Sequence, residues 1–364
     1  MTSRRAFLAG GMSAAGALLL AGRSAFAFDE AFARAVGEAM KAAAVPGLSL
    51  AVIEGGAVAE QRSFGGMRAD GTPVVADTRF QAASLSKTVN ALCVLTLVRD
   101  GLVALDDPVN KHLDGWQLGG RKDAGKVTVR MLLSHSGGTS VHGFGGYDRS
   151  RQLPTVVDIL NGAEPANSDR VEVVAAPGRA FRYSGGGTTV LQKMVMDVTG
   201  RPYDLALAQR VLDPLGMRNS SASQPPDDQG TLASGHDTTG TEVWGGYHHY
   251  PEMAAAGLWT TPGDLGIALG AVMASLSGEP KALLPVKLAQ QMVRPGHQGA
   301  GLGVFVDGNG RIVHDGVNWG FRACYVAGPK RKRGYVIMSN GENGEELNAR
   351  VARMVLKARG WKSV

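Results

Sequence analysis

The sequence has only two cysteines, Cys93 and Cys324, which lie far apart in its 364 residues and allow at most one disulfide. Cys93 falls in an apolar helical pattern, and Cys324 falls in the strand-like segment 323–326. Buried positions of this kind favour two free thiols over a bridge. The length is sufficient for a large hydrophobic core in one large domain or two intermingled domains.

The sequence also lacks a strong excess of charge of one sign. Its 38 Lys and Arg residues and 32 Asp and Glu residues give a formal net charge of +6. The leader described below holds three arginines and no acid, so the mature charge is about +3, which is too small to indicate a nucleic-acid partner. The densest basic run, residues 329–334, lies between two strand-like segments, and we interpret it as a hairpin tip.

Motifs for a metal or a nucleotide are not evident either, and we expect no cofactor. The two histidines of Tyr247–Tyr250 are adjacent, so they point in different directions, and no third ligand is suitably spaced. We interpret that segment as a loop beside the substrate cleft. Gly185–Gly187 lacks the lysine and the strand–loop spacing of a phosphate-binding loop, and we interpret it as flexible backbone.

The first residues read as an export leader. Met1–Leu8 carries two arginines in the order of a twin-arginine signal, and Ala25-Phe26-Ala27 fits an A-x-A cleavage site. The apolar stretch between them is short and Gly-rich, whereas a membrane span needs roughly 20 apolar residues. We expect cleavage after Ala27, no stable membrane insertion afterwards, and a periplasmic or secreted location.

Strand-like segments occur near both ends of the mature chain, and helical patterns fill the middle. An amphipathic helix over 29–44 precedes a hairpin of strands 48–53 and 57–62. Further strands are predicted at 303–306, 311–314, 321–326 and 334–338, and a closing helix at 348–359. We therefore predict an α+β fold, with an antiparallel sheet flanked by terminal helices and an inserted, mainly helical lobe. The predicted domains are 28–80 together with 295–364 for the sheet, and 81–294 for the helical lobe.

The most informative motif is Ser84-Leu85-Ser86-Lys87, the only place where a serine precedes a lysine by three. The run 88–99 lacks Gly and Pro and predicts a helix that begins near Ser84. Residues three apart share one helix face, so the Lys87 amine should lie beside the Ser84 hydroxyl. A serine nucleophile needs such a proton acceptor, together with N–H groups that stabilise an oxyanion.

Two further motifs accompany it. Tyr183-Ser184-Gly185 precedes a predicted helix, and His314-Asp315-Gly316 lies where a strand runs into a Gly-rich loop. Together with Ser84 and Lys87 they resemble the penicillin-recognising serine hydrolases. The resemblance is to the class C β-lactamase-related branch, which includes D-alanyl-D-alanine carboxypeptidases, D-amino-acid peptidases and esterases of the β-lactamase fold. The fold of that branch agrees with the layout predicted above.

The resemblance implies a role for each motif residue. Ser84 would form an acyl-enzyme, and Lys87 and Tyr183 would share the removal of its proton; which of them is the base stays open. Backbone N–H groups of Ser84 and Val317 would form the oxyanion hole. The residues implied at the oxyanion or substrate position are Val317, His314, Gly316 and Ser184.

Two departures from the pattern bear on the substrate. Gly185 stands where lactamases and transpeptidases usually carry Asn, and His314 stands where many relatives carry Lys. Both changes disfavour penicillin or peptidoglycan substrates, and the sequence has no Gly-x-Ser-x-Gly elbow of an α/β-hydrolase. We expect an exported serine hydrolase of small esters or amides. The alternatives are a D-amino-acid or D-alanyl-D-alanine carboxypeptidase, a β-lactamase, and a penicillin-binding or sensor module with slow turnover.

Overall fold

The structure is a computed structural model that describes residues 28–364; the predicted leader lies outside the described residues. The strands are β1 (Gly47–Glu54), β2 (Ala57–Gly65), β3 (Phe80–Gln81), β4 (Trp259–Thr260), β5 (Phe305–Val306), β6 (Ile312–Asn318), β7 (Phe321–Gly328) and β8 (Arg333–Ser339). The α-helices are α1 (Glu30–Ala43), α2 (Ser86–Arg99), α3 (Val129–Leu133), α4 (Val156–Asn161), α5 (Gly185–Thr199), α6 (Tyr203–Leu207), α7 (Asp213–Leu215), α8 (Met253–Ala256), α9 (Pro262–Ser277), α10 (Val286–Met292) and α11 (Gly344–Ala358).

A six-stranded antiparallel sheet joins the two ends of the described chain. Its strand order is β2-β1-β8-β7-β6-β5, and β1 pairs with both β2 and β8. Helices α1 and α11 cover one face, and α9 covers the other. This confirms the predicted α+β fold, while the domain boundaries at 80/81 and 294/295 stay predictions.

The terminal helices are held by an apolar stripe. The Asp29 side chain caps α1 by accepting from the Phe32 N–H at 2.8 Å, which pairs one of the otherwise free donors of the first turn. Phe32, Val36 and Met40 are buried in one cluster with Val351 of α11 and with residues of β1 and β8. The cluster lies against the sheet face opposite α9.

The middle of the chain packs around α2. Nearly every residue of this helix is buried, so it is enclosed on all sides rather than amphipathic, and its buried residues include the polar Lys87 and Asn90. Helix α9 begins with a cap made by neighbouring residues, because the Thr261 hydroxyl accepts from the Asp264 N–H at 3.1 Å and Pro262 fits the first turn. Because α2 is enclosed, its first turn can hold side chains in fixed positions.

The strand predicted at 303–306 is shorter in the structure, where β5 covers only Phe305 and Val306. Gly303 has φ of +70°, and a Cβ there would lie 2.3 Å from the Ala91 Cβ. Its carbonyl accepts from the Thr88 hydroxyl at 2.9 Å. The segment therefore turns tightly against α2 before it can join the sheet.

Two smaller predictions are confirmed. Residues 329–331 form a 3-10 turn at the tip of the β7–β8 hairpin. Cys93 and Cys324 are both free thiols, the first buried and the second half-buried.

Over residues 28–364, no helix has both the length and the apolar character that a membrane crossing requires.

Candidate active site

Ser84 lies on a tight turn that leads into α2. The turn is a 3-10 helix over Ala83–Leu85, so the α-helix begins two residues later than the hydroxyl rather than at it. Ala83 adopts a left-handed conformation with φ of +49°, which is uncommon for a residue with a Cβ. The Ala82 N–H donates to the Leu258 carbonyl at 2.8 Å and fastens the turn to the chain beside α8.

The structure brings Ser84, Lys87 and Tyr183 together. Lys87 Nζ lies 3.0 Å from Ser84 Oγ, and Tyr183 Oη lies 2.9 Å from the same oxygen. Lys87 also donates to the Ala255 carbonyl of α8 at 2.7 Å, and its side chain is buried. The hydroxyl thus has two groups within the distance needed for proton transfer.

Strand β6 forms the opposite wall, and His314 is buried in it. Its Nδ1 lies 2.7 Å from the Asp315 carbonyl oxygen. A carbonyl can only accept, so Nδ1 carries the proton. Burial and the nearby Lys87 lower the pKa of His314 to about 4, against the Asp315 hydrogen bond that raises it. The imidazole is therefore neutral at pH 7.

Gly316 and Val317 follow on the same strand. A Cβ on Gly316 would lie 2.5 Å from the Ala82 carbonyl oxygen, so only glycine lets β6 approach the Ser84 turn this closely. Val317 is 58% exposed and lines the cleft beside Ser84. The position predicted to supply a second oxyanion donor thus lies at the cleft.

The structure corrects the interpretation of Ser184. Its hydroxyl donates to the Ser140 carbonyl at 2.6 Å and accepts from the Gly187 N–H at 2.8 Å. Ser184 is the N-cap of α5, and it is not among the described residues that line the cleft. A serine before a helix satisfies this need locally, and the sequence motif alone does not distinguish a cap from a substrate contact.

The interpretation of Gly185–Gly187 as flexible backbone is also wrong. These glycines form the buried first turn of α5. A Cβ would lie 3.0 Å from the Phe144 ring at Gly185, 2.9 Å from the Ser140 carbonyl at Gly186 and 2.6 Å from the Thr139 hydroxyl at Gly187. The glycines serve close packing between α5 and the loop 139–144.

Sequence reasoning missed the rings that surround Tyr183. The His135 ring centroid lies 4.4 Å from that of Tyr183, the His142 centroid 4.9 Å and the Phe305 centroid 6.4 Å. His135 Nδ1 accepts from the Ser184 N–H at 3.3 Å, and burial together with Lys87 holds the pKa of His135 well below its usual value. The sequence gives no local signal that ties these rings to a distant tyrosine.

The cleft between these walls has a volume of about 610 Å³. Among its described lining residues, Lys87 and Asp315 are the only ones of the types Lys, Arg, Asp and Glu. The rest of the lining is largely apolar or aromatic, and it includes Phe144, Phe181 and Phe305. Such a space fits a small, mostly uncharged ligand.

The Tyr247–Tyr250 segment does not belong to the described lining of this cleft. Tyr247, His249 and Tyr250 are buried, and the His248 ring lies 4.0 Å from that of Trp319. Within residues 28–364, no group of three or more His, Cys, Asp or Glu side chains is placed to hold a metal ion. The segment is a loop, as predicted, but it is packed into the protein and does not line the cleft.

Comparison with known proteins places these features in a family. A family model described as Beta-lactamase matches residues 32–359. Penicillin-binding protein 4 of Amycolatopsis lactamdurans is 31% identical over 176 residues, which is 48% of this chain and 44% of that protein. The chain spans less than half the length of such curated relatives.

Solved structures have a similar fold. The crystal structure of SurE superposes with a TM-score of 0.70 at 26% identity over 90% of this chain and 75% of the other. The D-amino acid amidase of Ochrobactrum anthropi SV3 superposes with a TM-score of 0.73 at 21% identity over 90% and 99%, a likeness of fold. Members of the matched family are serine hydrolases, and the chain belongs to the Beta-lactamase family.

Proposed function

We propose that this protein is a serine hydrolase that cleaves small, uncharged esters or amides through an acyl-enzyme on Ser84. The observation that carries the proposal is the pair of hydrogen bonds on one hydroxyl, 3.0 Å to Lys87 and 2.9 Å to Tyr183. A serine hydroxyl is a weak nucleophile unless a neighbouring group takes its proton. Here two candidate acceptors are in place without a substrate.

The reaction would proceed in two halves. Ser84 Oγ attacks the substrate carbonyl carbon while its proton passes to the Lys87–Tyr183 pair, and the oxyanion is held by backbone N–H groups at Ser84 and Val317. Collapse of the intermediate breaks the bond to the alcohol or amine, which leaves with the proton. A water molecule then attacks the acyl carbon while its proton passes to the Lys87–Tyr183 pair. The proton returns to Ser84 Oγ as the acyl bond breaks, and the carboxylic acid is released.

The lining of the cleft supports uncharged substrates. A substrate carboxylate would meet neutral His314, and the one lysine of the described lining is already hydrogen-bonded to Ser84 and to the Ala255 carbonyl. Burying a charge without a partner is costly. Penicillins and D-alanyl-D-alanine peptides both carry a carboxylate, which ranks them below neutral esters and amides.

A second candidate is a penicillin-binding module that is acylated but turns over slowly. The local similarity to Penicillin-binding protein 4 supports this candidate. The two functions differ in deacylation. A hydrolase shows multiple turnovers, whereas the module shows a single burst and a lasting adduct on Ser84.

The test is parallel incubation of the mature protein with p-nitrophenyl butyrate, a D-Ala-D-Ala peptide and nitrocefin, followed by intact-mass analysis. The hydrolase proposal expects multiple turnovers of the ester and their loss in Ser84→Ala. Ser277→Ala is a matched control, because Ser277 is exposed at the end of α9 and is not among the described residues that line the cleft. Wild-type turnover by Ser84→Ala would refute the proposal.

We further propose twin-arginine export with cleavage after Ala27. The sequence order around Arg4 and Arg5 supports it. Replacing both by lysine should leave uncleaved precursor in the cytoplasm, while Arg23→Lys should not change export. Equal export of both variants, measured by cell fractionation, would contradict the proposal.

A further inference from the structure

The proton arrangement on His314 leaves one nitrogen without a partner. Nδ1 is occupied by its hydrogen bond to the Asp315 carbonyl at 2.7 Å. In the neutral ring the other nitrogen, Nε2, carries a lone pair and can only accept. This atom is buried and has no hydrogen-bond partner among residues 28–364.

The unpaired Nε2 atom belongs to a ring that lies at the cleft. His314 is only 6% exposed, yet it lines the cleft that holds Ser84. Two aromatic rings flank it, the Phe305 ring with its centroid 5.1 Å away and the Tyr325 ring with its centroid 6.4 Å away. Buried polar atoms are nearly always paired, so an unpaired acceptor at a ligand cleft fits a donor supplied by the ligand.

The charges of the cleft disfavour a ligand that places a carboxylate at His314. A carboxylate has only acceptor oxygens, and two acceptors that face each other repel. The described lining contains no arginine, and its single lysine already bonds Ser84 Oγ and the Ala255 carbonyl. Asp315, the single acid of that lining, adds a negative charge to the same strand.

We propose that the unpaired Nε2 of His314 selects substrates that carry a neutral N–H or O–H donor in the arm bound against β6, and rejects those with a carboxylate there. The substrate class is therefore carboxamide-, amine- or hydroxyl-bearing esters and amides. The inference rests on the proposed hydrolase function, because selection is read through turnover. His314 acts as a specificity residue, and the acylation chemistry belongs to Ser84, Lys87 and Tyr183.

The test uses two series of esters that differ in one group. In the first, phenylacetic acid is esterified to glycolamide, to methyl glycolate or to glycolate, so the leaving arm is a donor, a neutral acceptor or an anion. In the second, p-nitrophenyl esters of succinamic acid, monomethyl succinate and succinate vary the acyl arm in the same way. The quantity measured is kcat/KM for each ester.

In at least one series, kcat/KM should be highest for the carboxamide, lower for the methyl ester and lowest for the carboxylate. We expect a loss of about 10-fold in kcat/KM at each step. His314→Leu removes the acceptor, so the carboxamide and the methyl ester should become equal while the carboxylate stays poor. His314→Lys supplies a cation, so kcat/KM for the carboxylate should rise about 10-fold relative to kcat/KM for the methyl ester. Labelling of Ser84 by a fluorophosphonate and a thermal melt check that each variant keeps its fold and nucleophile.

Equal kcat/KM for the three esters in both series would overturn the proposal, and so would a preference for the carboxylate in the wild-type protein. An unchanged order in a folded His314→Leu variant would also overturn it. If His314→Lys fails to fold, the result for His314→Leu alone tests the proposal. If p-nitrophenyl acetate is cleaved but none of the six esters is, the proposed selection by His314 is wrong and the proposed hydrolase function is supported. If no ester is cleaved, the proposed hydrolase function itself is wrong.

Discussion

The two walls of the cleft differ in how their polar groups are paired. On the helical wall, the Ser84 hydroxyl is hydrogen-bonded to Lys87 and to Tyr183, and the lysine is also anchored on α8. On the strand wall, His314 has one nitrogen paired and one nitrogen unpaired within the described chain. The polar groups of the first wall pair with one another, whereas the second wall keeps an acceptor that, in the inference above, a substrate donor would pair.

This difference separates two kinds of effect. A change on the helical wall should lower the rate for every substrate, because the same proton transfer serves all of them. A change at His314 should alter the ranking of substrates instead. The variants below test whether the helical wall acts as one unit, how closely the strand wall must approach it, and what a buried carboxyl behind it contributes to stability.

The largest effect is expected from Lys87→Met and Tyr183→Phe. Both side chains contact the same oxygen, so each single variant should lose about 10³-fold or more in kcat for ester hydrolysis, and the double variant little beyond that. A double-mutant cycle on p-nitrophenyl butyrate measures the coupling. Independent losses that multiply in the double variant would show that the two residues do not act as a unit.

The next effect concerns the contact between the walls. Gly316→Ala places a Cβ 2.5 Å from the Ala82 carbonyl oxygen, so β6 must move away from the Ser84 turn. We expect a loss of roughly 10-fold to 100-fold in kcat/KM and of about 1–3 kcal/mol in the free energy of unfolding. Activity assays and urea unfolding measure both quantities.

Gly308→Ala is the matched control for that variant. Within the described chain, no atom lies within 4 Å of a Cβ placed on Gly308, and its backbone is not left-handed. This variant should keep activity and stability near those of the wild type. Equal behaviour of the two alanine variants would mean that the close approach of β6 has no role.

A separate, pH-dependent effect on stability is expected behind the helical wall. Glu252 precedes α8 and is fully buried; Tyr147 donates to one carboxyl oxygen at 3.4 Å, and the other has no partner among the described residues. Burial raises the pKa of Glu252 to about 8 from an ordinary 4.5. The folded protein thus keeps a proton between pH 4.5 and 8 that the unfolded chain releases.

Wild-type stability should therefore fall as the pH rises through that window, by up to about 1.4 kcal/mol for each pH unit from this group. Glu252→Gln keeps an acceptor for Tyr147 and removes the titration. The difference in unfolding free energy between variant and wild type should shift in favour of the variant from pH 5 to pH 8. A difference that is constant with pH would exclude Glu252 as the titrating group.

Local patterns were sufficient for much of the fold and for the central residues of the site. The hairpin β1–β2, the cap at Thr261 and the Ser84–Lys87 spacing each depend on neighbours within a few residues. The rings around Tyr183 could not be predicted, because His135 and Phe305 reach it from distant parts of the chain. The turn at Gly303 was also out of reach, since it depends on packing against α2, and the Ser184 motif fits a helix cap and a substrate contact equally well.

The pairing of β1 with β8 has a consequence for synthesis on the ribosome. Gly47–Glu54 emerges early, but Arg333–Ser339, which pairs with it, is made almost 300 residues later. Until then one edge of β1 is open, and loop closure over such a separation is slow. The nascent protein must therefore wait for its last segments with an exposed, apolar strand, which makes early contact with a chaperone valuable.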